Sequence, residues 1–187
     1  MSELVSNIQK HYADHVISTK EFRGEHTVVL KKEALHAVML YCRDHLDLQM
    51  LLDICSVDHE SVDPRFEVVY ELSTIDDSKH IRIKVPVAED EEVATVSDIW
   101  ATADWHEREV YDMMGIRFSD HPNLKRILMW EGYPYHPLRK EFPLAGKPTE
   151  MPDVAFTGVA PMEGGPFVTG SCATNTTAAE PRAKGES

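Results

Sequence analysis

The sequence predicts an α+β fold: one mixed or antiparallel sheet covered by helices on one face, then a short charged helix and an extended, irregular C-terminal arm. Three observations carry that prediction. Phe66, Val68, Tyr70 and Leu72 alternate with Glu67 and Glu71, and Ile81, Ile83, Val85 and Val87 alternate with Arg82 and Lys84, which is strand periodicity. Leu35, Val38, Met39, Cys42 and Leu46 repeat at helical spacing across 32–46. Beyond residue 115, Pro122, Pro134, Pro137 and Pro143 remove backbone donors too often for a long helix or a central strand.

Taken in order, residues 3–14 form a first helix, with Leu4, Ile8 and Tyr12 on one face. Val16-Ile17 and the β-branched run Thr27–Leu30 are short extended candidates, of which one strand is counted. The helix over 32–46 follows. Met50–Val57, mainly apolar, reads as a buried strand. The strands at 66–72 and 81–87, connected through 73–79, pair antiparallel as a hairpin. Glu67 and Glu71 then face Arg82 and Lys84 across the ladder, at about 0.2–1 kcal/mol per opposite-charge pair. Pro86 places the second of them at an edge or leaving the sheet. The predicted order is helix, strand, helix, three strands and a short helix.

That last helix is marked at both ends. Asp104 suits the N-cap, Glu107 three residues on completes a capping-box pattern, and Gly115 suits a left-handed closing residue. Glu107 shares a face with Val110, Tyr111 and Met114, while Arg108 and Asp112, four apart, can pair along the side. The chain therefore divides into an α+β body (1–115), a docking arm rich in prolines and aromatics (116–143) and an extended tail (144–187) that is partly disordered unless bound.

Charge separates the parts. The chain has 187 residues and a net charge of −13. From Ile116 to Lys140, five basic residues (Arg117, Lys125, Arg126, Arg139, Lys140) stand against Asp120 and Glu131, a net of +3, so the remainder carries −16. The acidic balance argues against a nucleic-acid or anionic-lipid partner. No apolar run approaches the roughly 20 residues that span a bilayer, so any membrane link is indirect. The first sixteen residues resemble neither a signal nor a transit peptide. Phe118, Leu124, Ile127, Leu128, Trp130, Tyr133 and Tyr135 give the arm too much apolar surface for a solvated linker. The tail from Pro143 holds six of eleven prolines and six of nine glycines; Met151, Val154, Phe156, Val159 and Phe167 suggest that 144–168 orders against a partner.

Candidate chemistry is sparse. Cys42, Cys55 and Cys172 are widely spaced and read as buried thiols; three cannot supply the four thiolates of an iron–sulfur cluster. Glu107, Arg108, Glu109 and Asp112 concentrate charge on one helix, and paired carboxylates serve as acid and base only in an enclosing pocket. His106, His121 and His136, fifteen residues apart, fit no helix or hairpin ligand geometry, and Asp58-His59-Glu60 reads as a solvated loop. No phosphate-binding glycine pattern is present.

Glu107-Arg108-Glu109, Asp112-Met113-Met114, His121-Pro122, Lys125-Arg126-Ile127-Leu128, and then His136-Pro137-Leu138-Arg139-Lys140 with Phe142-Pro143-Leu144, strongly resemble a known signature. It is that of the 30 kDa, C-type subunit of respiratory complex I, the proton-pumping NADH:quinone oxidoreductase. Met129-Trp130-Glu131 departs from it, standing where the family has a Pro-Glu-Asp-like stretch. The resemblance implies a peripheral-arm, quinone-module subunit on the cytoplasmic face of a bacterial membrane. It would itself be cofactor-free and non-catalytic, supporting electron flow from NADH through FMN and iron–sulfur clusters in partner subunits to quinone. Its implied partners are the quinone-site subunit and the iron–sulfur subunits. The expected docking residues are Glu107, Arg108, Glu109, Asp112, Arg117, His121, Lys125, Arg126, His136, Arg139 and Lys140. Two alternatives remain: the equivalent subunit of a complex fed by ferredoxin, reduced F420 or hydrogen, or a stand-alone acid/base enzyme.

Overall fold

The computed structural model describes residues 3–144; the expectations for 145–187, Cys172 included, lie outside the described residues. Helix α1 (Glu3–Tyr12) leads through a short turn of helix into an antiparallel pair, β1 (Val16–Phe22) and β2 (Glu25–Leu30). Helix α2 (Leu35–His45) precedes β3 (Met50–Asp58), β4 (Phe66–Ser73) and β5 (His80–Val87). A short β6 (Glu92–Ala94), α3 (Ala103–Met114) and a short β7 (Arg117–Ser119) complete the described elements. The five-stranded sheet runs β1-β2-β5-β4-β3, antiparallel except for the parallel β2–β5 contact, and β6 pairs with β7 in a separate parallel ribbon.

The core sits between the helices and one face of this sheet. Leu4, Val5 and Ile8 of α1 and Leu35, Val38, Met39 and Cys42 of α2 join the alternate residues of β2, β4 and β5 in one buried cluster. The opposite face carries the predicted hairpin charges: Lys84 Nζ donates to Glu67 at 2.6 Å, and Arg82 pairs with Glu71. Glu71 lies directly opposite Arg82 in the ladder.

Several expectations are corrected. Thr27–Leu30 and Val16-Ile17 belong to two strands rather than one; β1 has an almost wholly exposed face pattern, so burial left no alternation to read. Strand β5 lies at the centre of the sheet, not its edge, and Pro86 is tolerated because the β2 contact covers only Arg82, Ile83 and Lys84. The edges are β1 and β3; along β3 Leu51, Ile54 and Asp58 are buried while Met50, Leu52 and Val57 are exposed, with an irregularity between Leu51 and Asp53. Cys55 is exposed; of the two described thiols only Cys42 is buried, and desolvation pushes its pKa up to about 12.

Candidate functional site

Helix α3 lies against β3 and organises the described residues that follow it. It starts one residue ahead of the predicted cap, with Thr102 at the N-cap and no side-chain cap bond, so the Asp104–Glu107 capping box does not form. Glu107 instead turns inward. Its side chain is wholly buried, with Val96 N–H donating to Oε1 at 2.7 Å and the Thr95 hydroxyl 2.5 Å from Oε2. Gly115 closes the helix in the left-handed region, φ 78°, as its position predicts. A β-carbon there would stand 2.7 Å from His136 Nε2 and Arg139 Nη2, so the arm packs directly on the glycine.

Asp112 is the second inward carboxylate and the hub of the arm. It accepts the backbone N–H groups of Ile127, Leu128 and Met129 at 3.0, 2.7 and 2.8 Å, and Arg126 Nη1 at 2.5 Å. Arg126 also donates to the carbonyls of Tyr133 and Tyr135. Three backbone donors and a guanidinium outweigh desolvation and hold the Asp112 carboxyl below its usual range. The predicted Arg108–Asp112 pair therefore gives way. Arg108 donates instead to the carbonyls of Lys125 and Arg126 and stacks 5.2 Å from the ring centroid of Trp105.

A further clamp holds the end of the arm. Asp58 has no exposed side-chain surface; it takes Arg65 at both oxygens (2.9 and 2.8 Å) and the N–H groups of Glu60 and Lys140. This bonding keeps its carboxyl well below the ordinary carboxylate range. Arg139 donates to the Met114 carbonyl and to Glu89, and its guanidinium and that of Arg65 each lie about 5 Å from the Phe66 ring. Asp58 is thus no solvated loop residue, and Thr95, Asp58, Arg65 and Glu89 are site residues that spacing alone missed. Apart from the Asp58–Arg65 pair, seven residues apart, the contacts that draw them into the site span 12 to 82 positions, and only the Glu107-Arg108-Glu109 cluster offered a local signal.

His106, His121 and His136 do not converge. His106 Nδ1 lies 3.2 Å from Asp53, His121 packs beneath α3, and His136 Nδ1 lies 3.0 Å from the Asp112 carbonyl with its basicity lowered by burial. Among the described residues no three His, Cys, Asp or Glu side chains are grouped to hold a metal. No helix among them is long and apolar enough to cross a membrane.

Residues 28–148 match the family described as the respiratory-chain NADH dehydrogenase 30 kDa subunit. The chain belongs to that family. It is 43% identical over 147 residues to the C-type subunit of NADH-quinone oxidoreductase from Geotalea uraniireducens, covering 78% of this chain and 90% of the relative. It is 44% identical over 147 residues to the corresponding protein of Citrifermentans bemidjiense, covering 78% and 91%. Among solved structures it is similar to a trypsin-resistant fragment (1–134) of Nqo5, with 30% identity, a TM-score of 0.58, and coverage of 66% of this chain and all of that one. A chain of an archaeal membrane-bound sulfane sulfur reductase shares the fold at 22% identity and a TM-score of 0.65, covering 76% of this chain and 85% of that one.

Within this 30 kDa subunit, the signature residues separate into two groups. Glu107, Asp112, His121, Arg126, His136 and Arg139 make contacts inside the chain, fastening the 116–144 segment to α3 and β3–β4. Glu109, Arg117, Lys125 and Lys140 are exposed, and Arg108 bridges the two groups. Beside them Trp105, Leu128 and Leu138 are 61%, 63% and 58% exposed. Of these, Trp105 touches the signature directly, its ring 5.2 Å from the Arg108 guanidinium.

Proposed function

We propose that this chain is a scaffold subunit of the peripheral arm of a proton-translocating NADH:quinone oxidoreductase, holding no redox centre of its own. FMN and iron–sulfur clusters reside in its partners, and the chain supports electron transfer from NADH to quinone by positioning the quinone module. It docks on the quinone-site subunit and the neighbouring iron–sulfur subunits, at the cytoplasmic face of the bacterial membrane. Family membership supports the complex. One observation supports the docking surface: the buried Asp112–Arg126 tie fastens the arm to the signature helix, and Arg108, bonded to the Lys125 carbonyl, stacks on an exposed Trp105. Exposed aromatic and arginine side chains that become desolvated together dominate such contacts. The proposed division is a body over 1–115, a docking arm over 116–143 and a tail over 144–187, with this face on the signature helix and the arm.

The test is affinity purification of the tagged full chain from its native membrane in mild detergent, with flavin and iron content read on the recovered material. Co-purification with a flavin-bearing NADH module and iron–sulfur subunits is the expected result. Iron–sulfur and membrane subunits without that module would assign the chain to a complex fed by ferredoxin, reduced F420 or hydrogen. A partner-free chain would overturn the scaffold reading. Trp105→Ala and Arg108→Ala should reduce recovery of partners about tenfold or more, and Arg108→Ala should weaken assembly more than it weakens the isolated chain; undiminished recovery from both would remove this face from the interface.

A further inference from the structure

We propose that Glu107 is a proton-binding site of the folded chain, carrying a neutral carboxylic acid near neutral pH as part of the joint between residues 95–97, α3 and the turn after β7. The site is internal to the chain and independent of which subunits it docks on.

The geometry begins with a missing countercharge. The Glu107 side chain has no exposed surface, and among the described residues no Lys or Arg nitrogen lies within 4.0 Å of its oxygens. A buried carboxylate without a cation is far costlier than a buried carboxylic acid. The one basic side chain near it among the described residues is His121, whose Nε2 lies 3.8 Å from Oε2 in a ring that is itself wholly buried. That ring is neutral by its own bonding. Nδ1 receives the Asn123 N–H at 3.0 Å, so it carries a lone pair, and Nε2 faces the Asp104 carbonyl at 3.2 Å, to which it can only donate. An imidazole with one bare nitrogen and one N–H offers Glu107 no positive charge.

The remaining groups facing Glu107 do not supply one either. Asp104 on the same helix and Asp98 on the approach to it are acidic, and both disfavour a second negative charge. Tyr70 enters from β4 fully buried, its hydroxyl without a hydrogen-bond partner among the described residues; burial and Glu107 itself push its ionisation up, so it stays a phenol. Among the described residues, the only compensation for a charge would be the Val96 N–H and the Thr95 hydroxyl.

Counting hydrogens gives the same answer. Thr95 Oγ1 lies 2.5 Å from Glu107 Oε2 and 2.9 Å from Ser97 Oγ, and it accepts the Ser97 N–H at 3.1 Å. One threonine proton cannot serve both oxygens. A protonated Oε2 that donates to Thr95 leaves the threonine free to donate to Ser97, while Oε1 goes on accepting from Val96. Desolvation dominates the electrostatics and pushes the carboxyl up to about 7. Thr95, Ser97 and Asp98 also line an open cleft, which gives the buried acid a short hydroxyl-lined route to solvent.

The experiment is infrared titration of the full chain with ¹³C-labelled glutamate side chains, from about pH 5 to pH 9, following the carbonyl stretch of protonated carboxyl groups. Exposed glutamates lose that band around their ordinary value of about 4.3. One glutamic acid band should persist to near neutrality in the wild type and be absent from folded Glu107→Gln. Absence of any such band above about pH 6 in the wild type, or the same band in folded Glu107→Gln, would overturn the proposal. If the variant does not fold, the wild-type titration decides alone: a single band disappearing near neutrality supports the site, and none refutes it.

Discussion

Asp112 and Glu107 stand five residues apart on one helix, both with fully buried carboxyl groups, and their surroundings drive them in opposite directions. Around Asp112 the chain gathers three backbone N–H groups and the Arg126 guanidinium, and the carboxyl is held below its usual range. Around Glu107 it supplies one backbone N–H, one hydroxyl and a neutral imidazole, and the carboxyl rises to about 7. Burial alone therefore does not fix a carboxyl group's charge; the donors that accompany it do. Asp112 uses its charge to hold the arm, whereas Glu107 uses a proton to sit under the helix.

The strongest way to break this contrast is Asp112→Ala. It strands a largely buried guanidinium and three N–H groups, and the loss of stability should be about 3–5 kcal/mol. Urea denaturation of the full chain, read as a lower midpoint at constant slope, checks it; a change below about 1 kcal/mol would mean the arm is not held through Asp112.

Next in size is a pH dependence with opposite signs at the two sites. The Glu107 pKa is raised on folding, so its contribution is fully present below the unfolded value near 4.5 and is lost as pH rises through about 7. At 1.36 kcal/mol per unit the wild type should lose about 3 kcal/mol across that window, and Glu107→Gln should flatten that part of the profile. Asp112 is depressed on folding, so its contribution is present above the unfolded value and falls away as pH drops through the folded one. Stability measured from about pH 3 to 8 on the wild type and both variants separates the two slopes.

Smaller effects sharpen the boundary of the arm. Gly115→Ala forces a side chain into a left-handed residue and against His136 and Arg139, and should cost about 1–2 kcal/mol in the thermal unfolding of the chain. The Glu71–Arg82 pair on the open sheet face, by contrast, should show a coupling of only about 0.2–1 kcal/mol in a double-mutant cycle that screens away with salt.

How much of this was legible beforehand follows from where the partners lie in sequence. The β4–β5 hairpin was readable because its two faces alternate and its charges are complementary. Helix α3, its glycine stop and the inward face shared by Glu107, Val110 and Met114 were readable from spacing, and the family was readable from the charged positions in register. The central place of β5 was not, because it depends on a parallel contact with β2 more than fifty residues earlier, which no local pattern records. Nor was β1, an edge strand with almost nothing to bury. The inward carboxylates were misread as caps and surface pairs for one reason: a Glu or Asp on a short helix looks the same whether its donors are water or Thr95 and Arg126.

The bond from Lys140 N–H to Asp58 joins residues 82 positions apart. On a ribosome adding about 5–20 residues each second, β3 and β4 are made several seconds before the segment that clasps them. Asp58 has Arg65 only seven residues away, so that half of the clasp needs no residue of the arm. Closure thus comes late in biogenesis, because Lys140 must be made before its N–H can reach Asp58.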